Sequence, residues 1–430
     1  MASTYLTKTL GTPTNNKKFT FSCWVKKIAP ASTMDIFHSG ADGSNEAIIC
    51  RFESEGYITI KHDSGGSQEM LKQTNAKYRD PNAWYHIVIV FDTDNSTAED
   101  RQRIYVNGER ITEWLSGSDD NFSQGDDVFA NKATSHTIGK RNFDNNFYLD
   151  AVLSHVHFCD GQAYDASYFG STDATTGEWK INTSPSVTYG NNGFFILKDG
   201  NSVTDQSGNG NNWSVGGGTL TKTEDCPSNV FCTMSSLDKY AAGLSNGATT
   251  VSNENNSATI AMSTLAVNSG KWYWEAKVGD SASDTFNVGV RKTGLNNYNV
   301  TGAAYSANAY VYAVNGYIYS GGTDVLNTGT TATVGDIISF ILDMDAGTLK
   351  LKKNGSDIYS GNPVVTGLNT GDHWHVVQGA SQALVYFNFG NGYFGTTAVS
   401  SAGTNASGIG IFEYDVPANH TALSTKGLNL

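Results

Sequence analysis

Two β-sandwiches in tandem is the fold class this sequence predicts. Three observations lead there: a meander pattern in Val334 to Gly355, a second in Trp84 to Gly108, and a composition rich in turn formers. In VGDIISFILDMDAGTLKLKKNG both alternating registers of Ile337 to Met344 are apolar, with Ile338, Phe340, Leu342 and Met344 on one and Ile337 and Ile341 on the other. A strand covered on both faces has that pattern. Asp345, Ala346 and Gly347 supply a turn, after which Leu349 and Leu351 should face in and Lys350 and Lys352 out. Asn354-Gly355 suits a type I′ turn, so a third strand should return through Ile358. Upstream, WYHIVIVFD (Trp84 to Asp92), a polar loop, Arg103 to Val106 and Asn107-Gly108 repeat the plan.

At 430 residues the chain is long enough for two cores. Aromatics are 11% and charged residues only 16%, with 46 glycines, which is a folded, turn-rich balance and not a disordered one. The formal net charge of −13 repels phosphate backbones and excludes nucleic acid as a partner. No apolar stretch approaches the roughly 20 residues of a membrane span, so no membrane insertion is expected. The start, MASTYLTKTLGT, lacks a signal-peptide core, and synthesis in a cytoplasm is expected. Cys23, Cys50, Cys159, Cys226 and Cys232 show no metal-type spacing and are expected as buried or free thiols, with pairing of Cys226 and Cys232 left open.

Residues 1–215 are expected to form the first domain. Lys18 to Lys27 (KFTFSCWVKK) sets Phe19, Phe21, Cys23 and Val25 against Thr20, Ser22, Trp24 and Lys26, as a half-buried strand does. Short strands follow at Met34 to Ser39, Ala47 to Phe52, Tyr57 to His62, Trp84 to Val90, Arg103 to Val106, His136 to Lys140 and Asp150 to Phe158, a spacing that implies a sandwich. The succession FTFSCWVK, WYHIVIVFD, RIYVNGERI, TIGKR and LDAVLSHVHFCDGQAYDASYFG resembles a laminin-G or concanavalin A-like jelly roll. The wording of Phe158 to Gly170 and of TDATTGEWK (Thr172 to Lys180) resembles structural proteins of tailed bacteriophages, notably marine ones. An Asp-x-Ser-Gly-Asn-Gly-Asn turn at Asp205 to Asn211 resembles the segment that usually opens a laminin-G-like domain. Phe194 to Val215 is therefore expected to pack back as a late hairpin, with a solvated linker as the alternative. Residues 216–236, beginning Gly216-Gly217-Gly218, read as the connector.

The second domain is expected over 237–430. GKWYWEAKV (Gly270 to Val278) places Trp272 and Trp274 on one face and Tyr273 and Glu275 on the other. Five motifs follow one another: Gly270, Lys271, Tyr273, Trp274 and Glu275; Val288, Gly289 and Val290; Gly335, Asp336, Asp343, Asp345 and Gly347; Lys353, Asn354 and Gly355; Phe387, Asn388, Phe389 and Gly390. Their order resembles the SPRY domain over roughly Val267 to Gly395, which implies a curved β-sandwich used as a binding module. The tail, FEYDVPANHTALSTKGLNL, resembles the ending of phage proteins with this domain pairing.

The jelly-roll resemblance admits glycosidases as well as lectins. A jelly-roll glucanase carries Glu-x-Asp-x-Glu on one strand, so that the carboxyls share a face about 5–6 Å apart. No such triplet occurs; Glu53 and Glu55 sit beside Gly56 at a strand end, and Asp343 and Asp345 flank a turn. His86, His136, His155 and His157 lie on strands, where outward-facing histidines are expected, and no Gly-x-Ser-x-Gly accompanies them. His373 and His375 offer only two ligands for zinc. Asp119, Asp120, Asp126 and Asp127 cluster in SGSDDNFSQGDD, where calcium is conceivable, but the spacing is not that of an EF-hand and a solvated acidic loop is preferred. No cofactor is expected. Tyr298, Tyr305, Tyr310, Tyr312, Tyr317 and Tyr319 fall in one short span among Asn and Ala. Rings with a polar tip stack on sugar faces and anchor interfaces, so these six are the candidate ligand contacts, half of them expected as ordinary core residues.

The expectation is a non-enzymatic virion protein, oligomeric on the particle, with other virion proteins and host-surface glycans as partners. A decoration, head-fibre or tail-accessory role fits, with the C-terminal segment as a docking strand. The rival is a phage carbohydrate-active depolymerase.

Overall fold

The computed structural model describes all residues except 1–2, 30, 43–44, 145, 199, 201, 254–257, 280–285, 295–307, 382–383 and 430. It is all-β, and it divides into two compact units, residues 1–222 and 223–430. Among the described residues no helix is long and apolar enough to cross a membrane.

In the first unit, one sheet runs in the order Trp114–Asp119, Ser67–Thr74, Ile58–Ser64, Asn45–Phe52, Met34–Asp42, Ser135–Ile138, Tyr5–Thr9 and Ser214–Gly217. The other runs Phe194–Ile196, Ala151–Asp160, Lys18–Lys27, Trp84–Asp92, Gln102–Val106 and Glu109–Arg110. The inward registers interlock between them: Phe21 stacks on Phe37 of the opposite sheet at 4.8 Å, and Phe19 on Phe158 beside it in the same sheet at 5.1 Å. The Asn107-Gly108 turn adopts positive φ at both residues, 49° and 84°, as a type I′ turn requires.

Lys18–Lys27 is buried on both faces, where a half-buried strand was expected. The reason is a cover formed by residues 161–193. Thr20 Oγ1 donates to the Gln162 carbonyl at 3.0 Å and accepts the Tyr164 N–H at 2.8 Å, and the short hairpin Gly170–Thr172/Trp179–Ile181 carries Trp179 over His86.

The segment after Gly193 returns to the first unit but not as a hairpin. Phe194–Ile196 extends one sheet beside Ala151–Asp160, while Ser214–Gly217 extends the other beside Tyr5–Thr9. Asp205 fixes the turn between them, accepting the Phe195, Ser207 and Asn211 N–H groups at 2.8, 2.9 and 2.8 Å and the Ser207 hydroxyl at 2.8 Å. The expected connector is also taken up by the two units. Gly216 and Gly217 lie in an edge strand against the Tyr5 ring, and Phe231 bridges to Ser424 within the second unit.

The second unit stacks two further sheets. One is ordered Met234–Tyr240, Ala258–Val267, Trp374–Ser381, Asn287–Lys292, Ala309–Ala313, Tyr317–Ser320 and Thr323–Asn327. The other is ordered Ala242–Ser245, Thr250–Asn253, Leu384–Asn388, Lys271–Val278, Ile337–Asp343, Thr348–Lys353 and Ser356–Asp357. The meander forms as the alternation dictates: Leu349 and Leu351 are buried, Asn354 and Gly355 have φ of 47° and 80°, and Ile358 plugs the core. Trp272 and Trp274 enter the core, Trp274 stacked on Phe340 at 5.1 Å.

Tyr273 and Glu275 face the other way, and the C-terminal tail covers them. Phe412 meets the Tyr273 ring edge-on at 4.9 Å, Thr421–Ala422 pairs in parallel with Trp272 and Tyr273, and Phe231, Ile341, Val416 and Ala422 complete a small second core. The tail, expected as a docking strand, is docked on its own unit.

Candidate ligand-contact surface

The sheet phase sorts the tyrosines. Tyr310 and Tyr312 share the inward face of Ala309–Ala313: Tyr312 is buried and donates its hydroxyl to the Thr330 carbonyl at 2.7 Å, and Tyr310 leans on Trp374 at 6.1 Å. Burial drives the Tyr312 phenol well above its usual range. Both belong to the core. Tyr298 and Tyr305 lie outside the described residues.

Tyr317 and Tyr319 share the outward face of the next strand. Val311 pairs with Tyr319, and Tyr319 packs on the buried patch Ile260, Met262, Val311 and Val377. The two rings lie 6.2 Å apart at 42°, both half-buried. One residue holds both: Asn315 Oδ1 accepts the Tyr317 N–H at 3.2 Å, and Asn315 Nδ2 donates to Tyr319 Oη at 2.8 Å. Gly316, at φ 88°, sits where a Cβ would lie 2.7 Å from the Thr330 carbonyl oxygen, so the tight turn needs glycine. Gly321-Gly322 returns the chain, and a bulge between Ile318 and Tyr319 accompanies the turning out of Val325, which is 52% exposed. The result is a pair of half-buried tyrosines held by Asn315 on the outward face of the strand next to the outermost one.

A further tyrosine pair was not singled out from sequence. Tyr164 and Tyr168 lie 4.4 Å apart across the single turn Ala166–Tyr168, capped by the Asp165 carboxylate, and Tyr168 is exposed. Their spacing of four residues around an Asp-Ala-Ser turn was the available signal.

The acidic loop does not gather its carboxylates. Asp119 pairs with the buried Lys72 at 2.5 Å, Asp120 accepts from Gln68 at 3.1 Å, and Asp126 accepts the Ser123 N–H at 2.8 Å; Asp127 is exposed. Among the described residues no group of three or more His, Cys, Asp or Glu is placed to hold a metal ion.

The strand histidines are buried, where outward-facing ones were expected. His86 Nδ1 accepts from the Trp179 indole at 2.9 Å, so Nε2 carries the proton and donates to Ser22 Oγ at 2.9 Å. Burial pushes His86 down to about 3 and His136 to about 4, and both are neutral at pH 7. His136 lies 2.8 Å from both the Ala130 and the Thr134 carbonyl and, as a neutral ring, donates its one N–H to one of them, and His157 contacts Tyr189 Oη at 3.0 Å. His155 Nδ1 contacts Ser154 Oγ at 2.7 Å, and His375 Nδ1 donates to the Ser263 carbonyl at 2.8 Å. Asp343 caps its turn by accepting the Ala346 N–H, whereas Asp345 accepts the Gly270 N–H of a segment distant in sequence. Glu53 accepts from Thr33 at 3.3 Å and Glu55 from Ser54 at 2.9 Å. No disulfide joins any of the five cysteines, Cys226 and Cys232 included.

Comparison with known proteins agrees with this architecture. Residues 2–167 match the concanavalin A-like lectin/glucanases superfamily, and residues 271–364 match the SPRY domain. No curated protein matches the chain. Among solved structures, the SPRY domain of human HERC1 is 19% identical over 36% of this chain and 96% of its own, with a TM-score of 0.31. A human SPRY domain is 16% identical over 35% and 95%, with a TM-score of 0.28, and the TRIM65 PSpry domain is 12% identical over 36% and 91%, also with a TM-score of 0.28. The chain thus joins a concanavalin A-like domain to a SPRY domain, a pairing of the binding and adhesion type.

Proposed function

We propose that the protein is a non-enzymatic adhesion and structural subunit of a tailed-bacteriophage virion, oligomeric on the particle, contacting neighbouring virion proteins and host-surface glycans. The observation that carries the adhesive part is the pairing of a concanavalin A-like domain with a SPRY domain, beside which the outward tyrosines Tyr317 and Tyr319 are held by Asn315. The virion part rests on the wording of Phe158 to Gly170 and Thr172 to Lys180, which resembles phage structural proteins. Decoration, head-fibre and tail-accessory positions all suit two compact sandwiches in tandem.

Two measurements test this. Purified particles probed with an antibody to the chain should carry it on their surface, and a glycan array should retain it. Absence from particles removes the virion role. Depolymerisation of a bound polysaccharide, abolished by replacing one carboxylate with its amide, would instead establish the rival depolymerase.

A further inference from the structure

Lys27 is the last residue of Lys18–Lys27, on the inward register of Phe19, Phe21, Cys23 and Val25. Phe52 likewise ends Asn45–Phe52 in the opposite sheet, and the Lys27 amine stands 4.9 Å from the centre of its ring. The amine is therefore held between the sheets at one rim of the first unit. Lys27 is 0% exposed, and its Nζ has no hydrogen-bond partner among the described residues. The Phe52 face attracts a cation but offers it no lone pair. Lys72, nearly as buried, has the Asp119 carboxylate as well as the Trp114 ring.

The turn after Phe52 brings a second cation to the same rim. Gly56, at φ 94°, leaves the space a Cβ would fill to the Arg79 stem, and its carbonyl accepts the Tyr78 N–H at 2.7 Å. Arg79 is exposed and makes no ion pair or side-chain hydrogen bond among the described residues. Burial, then the Arg79 charge, lower the Lys27 amine to about 8, so it is mostly protonated at pH 7. The acids of the adjoining turns have other donors: Glu53 accepts from Thr33 at 3.3 Å, Glu55 from Ser54 at 2.9 Å, and Asp80 the Asn82 N–H at 2.8 Å. Lys77 lies over the Tyr57 ring. In a chain of formal charge −13, two positive groups thus meet at one rim with no carboxylate paired to either among the described residues.

We propose that Lys27 and Arg79 form a binding site for a single oxyanion, a carboxylate or sulfate that enters beside the exposed Arg79 side chain and accepts from both groups. The site belongs to the first unit and stands whether or not the chain is adhesive. A buried ammonium without an acceptor destabilises the empty fold, and the oxyanion supplies the acceptor.

The test uses the full chain, isotope-labelled at the lysine side chains for NMR and titrated with sodium acetate and with sodium sulfate against NaCl of equal ionic strength. The resonance missing from Lys27→Met identifies Lys27; either salt should shift it saturably, and NaCl should not. Arg79→Gln, a change at an exposed residue, should weaken that binding at least about tenfold. In NaCl alone Lys27→Met should melt no lower than the wild type, because it removes a buried charge and keeps the stem over Phe52. In sulfate the wild type should gain more than the variant, a difference that cancels the general stabilisation sulfate gives any fold. Oligogalacturonate that competes with acetate assigns the anion to an acidic glycan, and oligogalacturonate that does not compete assigns it to a free small anion. No saturable shift with either salt, or calorimetric binding of both that persists unchanged in Lys27→Met, overturns the site. So does a variant that melts below the wild type by the same margin in both salts, since Lys27 is then packing alone.

Discussion

Glu275 sets the sharpest prediction, because it joins the C-terminal tail to the sandwich. Its carboxyl accepts the Glu413 and Tyr414 N–H groups at 2.9 Å each, the Tyr273 hydroxyl at 3.0 Å and Asn388 Nδ2 at 3.1 Å. No cation is among these partners. Burial pushes the group up to about 7, although the four donors favour its charged form. With the tail lifted the carboxyl would be hydrated and titrate near about 4.3. The docked state therefore holds a proton that the open state releases, so the contribution is fully present below about pH 4.3 and is lost as pH rises to about 7. Between about pH 5.5 and 8.5 the closing equilibrium should weaken about 30-fold, or about 2 kcal/mol. Hydrogen exchange of the amides of residues 413–416 and 421–425, corrected for intrinsic rates, reads this directly. The titratable groups around the site are Tyr273, Glu413, Tyr414 and Asp415; more distantly, His375 and His420 are lowered by burial and gain stability toward about pH 6.5, the opposite sign. Glu275→Gln removes the titration and keeps the side-chain length, so the difference between wild type and variant isolates the carboxyl. The variant's amide sets N–H against a donor and costs about 1–3 kcal/mol at low pH. Protection that stays level or rises with pH in the wild type, with the same profile in the variant, would refute the reasoning.

Further predictions follow from single contacts. Trp179→Ala removes the indole that stacks on His86 and fills the space over Gly108 and Gly170, and should destabilise the first unit by about 3 kcal/mol in thermal unfolding. Asp205→Ala leaves four donors without their acceptor and should cost at least about 3 kcal/mol, with new proteolytic cleavage between residues 190 and 217 under native conditions. Burial raises the Cys23, Cys50 and Cys159 thiols and Cys232 is also buried, whereas Cys226 is half-buried. A maleimide should therefore react with about one thiol per chain natively, at Cys226, and with all five in denaturant.

The parts legible in the sequence are those set by short-range alternation. The registers of Ile337–Asp343 and Thr348–Lys353, the two Asn-Gly turns and the split of Trp272 and Trp274 from Tyr273 and Glu275 all follow from side chains that alternate across a strand. Alternation assigns faces but not covers. Nothing local to KFTFSCWVKK says that residues 161–193 return over Thr20, Ser22 and Trp24, and nothing in FEYDVPANHTALSTKG is periodic enough to show that Phe412, Val416 and Ala422 meet Tyr273. The same limit governs the tyrosines. That Tyr310 and Tyr312 share one face and Tyr317 and Tyr319 another is a matter of parity; which pair faces the core depends on the sheet opposite, and Phe286 and Trp374 meet the first pair. The histidines were misplaced outward for this reason as well, since a covered outer face looks polar when the cover is distant in sequence.

Three buried carboxyls show how such distant closures are made. Asp160 accepts Thr14 N–H, Asn15 N–H, Asn131 Nδ2 and Asn192 N–H; Asp205 and Glu275 each accept four donors likewise. Asp160 and Glu275 tie segments far along the chain to a strand, whereas Asp205 gathers donors no more than ten residues away and closes its own turn. An ionised carboxylate presents acceptors alone, so at Asp160 and Asp205 it can take four N–H and O–H groups without turning a donor on any of them, whereas Glu275, pushed up to about 7 by burial, does so only once its proton has left. Each carboxylate is also saturated by its own chain, with its lone pairs directed at loop backbone instead of toward an open face. That saturation accounts for acidic residues that lie near aromatic strands yet close loops.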